Sequence, residues 1–194
     1  MQDVHGVDHQ GDVAGILAGG MGELLVRHDG QRRQLVLVPA LRPAAGEVAI
    51  DAALRIDALR RDGKPIALVP TMGALHDGNL SLVKAAEESC ERVIVTIFVN
   101  PKQFNNPEDL KNYPRTEEDD ARKLRRFSVD AIYVPDGDEM YPDGFATTVS
   151  VSGLTDVMDG TYRPGHFEGV ATVVAKLFLQ TSASDAFFGE KDFQ

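Results

Sequence analysis

Cysteine is almost absent from this sequence, and basic residues are outnumbered. One cysteine, Cys90, stands among 194 residues, which excludes an internal disulfide and fits a reducing cytosol. The 20 Lys and Arg against 30 Asp and Glu leave a formal net charge of −10. Nucleic acid is therefore not expected as a main partner, because binding a phosphate backbone needs a concentrated basic surface. No apolar run reaches the roughly 18 residues a membrane span requires. The strongest, Val93 to Val99, is broken by Thr96 and has the length of a strand. Met1-Gln2-Asp3-Val4-His5 lacks the basic and apolar regions of a signal peptide, so a cytoplasmic protein with no membrane partner is expected. No internal repeat is visible, and His5, His9 and His28 stand at spacings that match no metal-ligand pattern.

What is present divides the chain in two. Residues 1–46 form an extension: an aperiodic stretch rich in Gly, Asp and His, then two apolar runs joined by Asp29-Gly30, which predict a β-hairpin over 23–38. From residue 47 the pattern is α/β. A short helix over 52–59 ends at Asp62-Gly63, and strands are predicted at 66–69, 92–99, 132–134, 147–151 and 186–188. Helices are predicted from about 79 to 89, 116 to 126 and 166 to 180, with long loops at 100–115 and 136–144. A strand, a helix and a second apolar strand imply a right-handed βαβ unit in a buried parallel sheet.

Ala67 to Val83 organises this second part. An apolar strand runs into Thr71-Met72-Gly73-Ala74-Leu75-His76-Asp77-Gly78-Asn79, and a helix with Leu80, Val83 and Ala86 on one face follows. Glycines allow backbone N–H groups to approach a phosphate chain, and a helix N-terminus adds partial positive charge. The spacing fits neither the Walker nor the Rossmann fingerprint. Further motifs follow in order: Ile97-Phe98-Val99-Asn100-Pro101-x-Gln103-Phe104, Tyr113-Pro114-Arg115-Thr116, Tyr141-Pro142-Asp143-Gly144, Arg163-Pro164-Gly165-His166-Phe167-x-Gly169-Val170 and Phe188-Gly189-Glu190-Lys191-Asp192. Over residues 50–194 this series resembles the pantoate–beta-alanine ligase family of the nucleotidyltransferases named for a His-x-Gly-His signature.

The resemblance implies a Rossmann-like α/β fold that binds nucleotide and pantoate over 47–194. It implies condensation of (R)-pantoate with beta-alanine through a pantoyl adenylate, with ATP as substrate, Mg²⁺ accompanying it, and a homodimer. ATP-binding positions are then Met72, Gly73, Ala74, Leu75, His76, Asp77, Gly78, Asn79, Gly189, Glu190, Lys191 and Asp192. Catalytic positions are Asn79, His76 and Lys191, and Gln103 contacts pantoate and beta-alanine, with Asn100, Arg163 and His166 as further pocket residues. Without the resemblance, Gln103 and Lys191 read as loop residues, and His166 equally as a helix-start residue satisfied by a backbone group. The acidic run Glu117 to Asp120 reads as a solvated helix start suited to the helix dipole rather than a Mg²⁺ site.

The sequence departs from that family in three respects. Asn79 stands where the signature has its second histidine, the family's proton donor, and asparagine cannot transfer a proton at neutral pH. The family continues past the position of Gln194 with a second glutamine, a Ser-Ser-Arg segment and a C-terminal domain, which this sequence lacks. Residues 1–46 have no counterpart, and Lys102 replaces a usual apolar residue. Little or no ligase turnover is expected of the chain. Two other readings are a non-catalytic nucleotide- or pantoate-binding scaffold and a related nucleotidyltransferase.

Overall fold

The computed structural model describes residues 36–38, 56–61 and 63–193. Five parallel strands form one sheet in the order β1-β4-β3-β2-β5: β1 (Val36–Val38), β2 (Ile66–Thr71), β3 (Arg92–Ile97), β4 (Ala131–Tyr133) and β5 (Asp185–Ala186). Residues 56–60 are helical (α1). The remaining helices are α2 (Asp77–Ser89), α3 (Pro107–Asn112), α4 (Glu117–Leu124), α5 (Gly137–Met140), α6 (Asp159–Tyr162) and α7 (His166–Thr181).

β2 and β3 are apolar on both faces because both faces are covered. Val69, Val93 and Val95 pack with Leu80, Val83 and Ala86 of α2 and Leu124 of α4. Leu68, Ile94 and Phe98 pack on the other side with Val173 and Leu177 of α7. The strands keep full register from Ile66↔Arg92 to Thr71↔Ile97. β5 pairs only with Ala67 and Leu68. Phe187 N–H still reaches the Leu68 carbonyl, but Pro70 has no N–H to return, and the ladder stops there.

Chain order fixes where a ligand belongs. The chain steps outward from β2 to β3 and β4, then returns to lay β5 on the opposite side of β2. In open parallel sheets that reversal leaves a crevice at the C-terminal ends of the two strands, here after Thr71 and Ala186.

Several expectations change. Residues 36–38 lie as a parallel edge strand on β4, and the rest of the predicted hairpin falls outside the described residues. No strand forms at 147–151; Val149 N–H instead meets Thr172 Oγ1 at 2.9 Å. The 100–115 loop contains a 3₁₀ turn, Pro101–Gln103, and α3, both started by an Asn-Pro pair whose asparagine caps the following N–H. Residues 136–144 and 154–165 each carry a one-turn helix, α5 and α6.

Candidate functional site

The turn after β2 is fixed from several directions. Gly73 has φ +81°, which favours glycine, and a Cβ there would lie 3.1 Å from Ile97 and 3.2 Å from the Asp120 carboxylate, a close fit that would press on both side chains. Ala74 also takes a left-handed conformation, φ 50°. His76 caps α2: its Nδ1 accepts the Gly78 N–H at 3.1 Å, while Asn79 Oδ1 accepts the His76 N–H at 3.2 Å. This reciprocal capping box sets both side chains. An accepting Nδ1 places the neutral ring's proton on Nε2, and an accepting Oδ1 turns the Asn79 amide nitrogen away from the turn.

The backbone of the turn is not a free nest of donors. Gly73 N–H goes to Thr71 Oγ1 at 3.2 Å. Ala74 and Leu75 N–H groups go to Asp120 at 2.8 and 2.7 Å, and those of His76 and Gly78 are taken by the capping box. Protein acceptors thus take both glycine N–H groups of this turn, the groups expected to approach a phosphate. Asp120 likewise differs from a solvated helix start. It has no solvent exposure, because α4 lies directly beneath the turn.

A second cluster forms where the 3₁₀ turn meets α7. Asn100 is buried and uses its whole hydrogen-bonding capacity inside the protein. Its amide donates to Gln103 Oε1 at 3.0 Å and to the Gly169 carbonyl at 3.1 Å. Its oxygen accepts from Lys102 N–H at 3.2 Å and from the Tyr141 hydroxyl at 2.8 Å. Burial pushes the Tyr141 phenol up to about 12, so it remains a donor at neutral pH. Gln103, half-buried, points its amide at Met72 Sδ, 3.0 Å away, which ties this cluster to the turn. His166 is also buried, and its Nδ1 donates to the Gln103 carbonyl at 2.7 Å. Of its two sequence readings, this is the one with a backbone partner. Arg163 reaches the same carbonyl at 3.4 Å. Gly169 permits the approach, since a Cβ would stand 2.4 Å from the Lys102 carbonyl oxygen.

The loop after β5 is open. Glu190–Asp192 make a 3₁₀ turn in which Lys191 pairs with its neighbour Asp192 at 2.5 Å, and the Lys191 side chain is 72 % exposed. Tyr113 links this loop to the turn electrostatically. Burial raises its phenol, the Lys191 ammonium opposes that rise, and the Asp120 charge adds to it. A cleft of about 390 Å³ opens across the ends of β3 and β4, lined among others by Met72, Gly73, Val99, Arg115 and Thr116. His76, Asn79, Gln103 and Lys191 do not line it. The predicted residues thus gather into the β2 turn and the Asn100–Gln103–His166 cluster, with Lys191 apart on its own loop. Asp120, read from the sequence as part of a solvated helix start, and Tyr113 and Tyr141, visible there only as members of motifs, complete the arrangement.

The family model for pantoate-beta-alanine ligase matches residues 48–194. A pantothenate synthetase of Ruegeria pomeroyi is 74 % identical over 135 residues, which are 70 % of this chain and 47 % of that protein. The crystal structure of pantothenate synthetase from Thermus thermophilus aligns with a TM-score of 0.69 at 49 % identity, covering 73 % of this chain and 51 % of that one. Pantoate-beta-alanine ligase from Francisella tularensis, solved in complex with beta-gamma ATP and beta-alanine, aligns with a TM-score of 0.65 at 38 % identity, covering 69 % and 53 %. The chain spans about half the length of the curated relatives it matches. With three quarters of its residues inside the matched region, the chain is a member of the pantoate-beta-alanine ligase family.

Proposed function

We propose that residues 47–194 form the nucleotide- and pantoate-binding domain of an AMP-forming ligase that joins (R)-pantoate to beta-alanine. In this reading a pantoate carboxylate oxygen attacks the α-phosphorus of ATP, and the bond to pyrophosphate breaks. The beta-alanine amine then displaces AMP to form the amide. Two anions must be brought together, so the protein's work is alignment and neutralisation of charge.

The observation that carries the reading is the pair of fixed side-chain donors, His76 Nε2 and the Asn79 amide nitrogen, at the crevice between the β2 and β5 ends. They would meet ATP phosphate oxygens, with Met72 to Asn79 on one side and Gly189 to Asp192, including the Lys191 cation, on the other. Gln103 would contact pantoate and beta-alanine, its amide donating to a carboxylate and its oxygen accepting from a hydroxyl. Asn100 and His166 would hold it, and Arg163 would stand at the pocket edge. Among the described residues no group of three or more His, Cys, Asp or Glu could hold a metal ion. Mg²⁺ would therefore arrive on the nucleotide, with the phosphates supplying most of its ligands.

Asn79 sets the rate in this account, because its amide donates without becoming cationic. Slow turnover fits a nucleotide-binding scaffold as well as a weak enzyme. A homodimer in the cytoplasm completes the proposal, supported by the exposed Val149, Val151, Met158 and Tyr162, an apolar surface that a second copy would cover. Titration calorimetry with ATP and with pantoate tests the binding. Heats that saturate at one ATP per chain are expected, and no heat with either compound would contradict the reading.

A further inference from the structure

Helix α4 holds the signature turn through a single buried carboxylate. The two oxygens of Asp120 take the N–H groups of Ala74 and Leu75, 46 and 45 residues earlier in the chain. Thr116 caps nothing with its hydroxyl; it donates to Asp120 Oδ2 at 3.0 Å instead. Lys123, one turn further on, donates to the Leu75 carbonyl at 2.9 Å and stands 3.7 Å from Asp120 Oδ1. Two consecutive peptide units of the turn are therefore gripped by one face of α4. An isolated carboxylate in this position would be costly, and two N–H donors, a hydroxyl and an ammonium offset that cost.

We propose that Asp120 is a positioning residue for the anion site. By drawing the Ala74 and Leu75 N–H groups inward, it imposes the left-handed Ala74 conformation and presents His76 at the N-terminus of α2. Phosphate recognition is thereby passed from the backbone to the side chains of His76 and Asn79. The neighbouring carboxylate, Asp119, has a different place: it pairs with Arg122 and Lys123 at the surface and touches nothing in the turn. The inference rests on the nucleotide reading for the identity of the anion, but the grip on the turn is testable without it.

The test is Asp120→Asn, which sets an amide donor against one of the two backbone donors, with Glu118→Gln, an exposed carboxylate two residues earlier on the same helix, as the control. Amide hydrogen exchange is followed by NMR in the unliganded chain, and ATP affinity by calorimetry. The expected result for Asp120→Asn is exchange at Ala74 and Leu75 faster by about tenfold or more. The Leu68 and Val69 amides of β2 should change far less, and ATP affinity should fall by about tenfold. Glu118→Gln should leave all three readouts in place. Should Asp120→Asn not fold, Thr116→Val removes one bond to the same carboxylate and should raise exchange at Ala74 by a smaller factor. Uniform acceleration across β2 and the turn, or unchanged ATP affinity in Asp120→Asn, would overturn the positioning role. Absence of ATP binding by the unsubstituted chain would overturn the nucleotide reading instead, leaving the exchange comparison to decide the role of Asp120.

Discussion

Two loops follow the strands that flank the switch point of the sheet, and they are built differently. The turn after β2 is tied at every step: Thr71 takes Gly73, Asp120 takes Ala74 and Leu75, and the His76–Asn79 box closes the helix start. The loop after β5 has only its own short bonds, Asp192 N–H to the Gly189 carbonyl and Lys191 to Asp192, and it leaves the Lys191 ammonium in water. One side of the proposed site is therefore set before a ligand arrives. The other brings an exposed cation. A preorganised wall loses little entropy on binding, whereas an exposed lysine must be ordered by its ligand, and an exposed ion pair between neighbours contributes little to stability.

Four changes would break or sharpen this contrast. The largest effect is expected at the fixed wall from Asn79→His, which restores a titratable group where the capping box already orients the side chain. AMP release with ATP, pantoate and beta-alanine should rise by about 10²-fold or more, the usual scale of general acid catalysis. Equal rates would show that proton donation at residue 79 is not limiting. Gly169→Ala attacks the support of Gln103: a Cβ placed 2.4 Å from the Lys102 carbonyl should cost about 1–3 kcal/mol, read as a lower denaturation midpoint. Lys191→Ala addresses the open loop. It should leave thermal stability within about 0.5 kcal/mol and weaken ATP binding by roughly tenfold, about 1.4 kcal/mol. A large loss of stability would mean that the loop is as built-in as the turn.

The smallest effect concerns pH. Folding raises the Tyr141 phenol to about 12, so the protonated form is favoured in the native state. Its contribution is complete below the unfolded value near 10 and is lost as pH rises through about 12. Tyr141→Phe should flatten the decline in stability between those limits, measured by urea denaturation at each pH.

Much of the fixed wall was legible in the sequence, and the reason is local. The apolar run, the two glycines and His76 with Asn79 three residues later all act within one strand–turn–helix, where periodicity and capping rules apply. Asp120 escaped because its three acidic neighbours describe an ordinary exposed helix start. Only the packing of α4 beneath β2, across more than 40 residues, turns the fourth carboxylate inward. The Ala74 and Leu75 N–H groups likewise find their acceptor on a helix the local pattern cannot see. The Asn100–Gln103 motif was visible as a motif, but its bonds to Tyr141, Gly169 and His166 needed the fold. At 147–151 a strand was expected, yet Val149 N–H bonds to the Thr172 hydroxyl on α7 instead of to a neighbouring strand.

Hydrogen exchange of the whole chain with and without ATP measures the central contrast most directly. The account predicts that the Ala74 and Leu75 amides are already protected in the unliganded protein and change little on binding. Amides of Glu190 and Lys191 should exchange freely until ATP is added and then slow markedly. Equal protection of both loops before ATP, or a turn that becomes protected only with ATP, would contradict it.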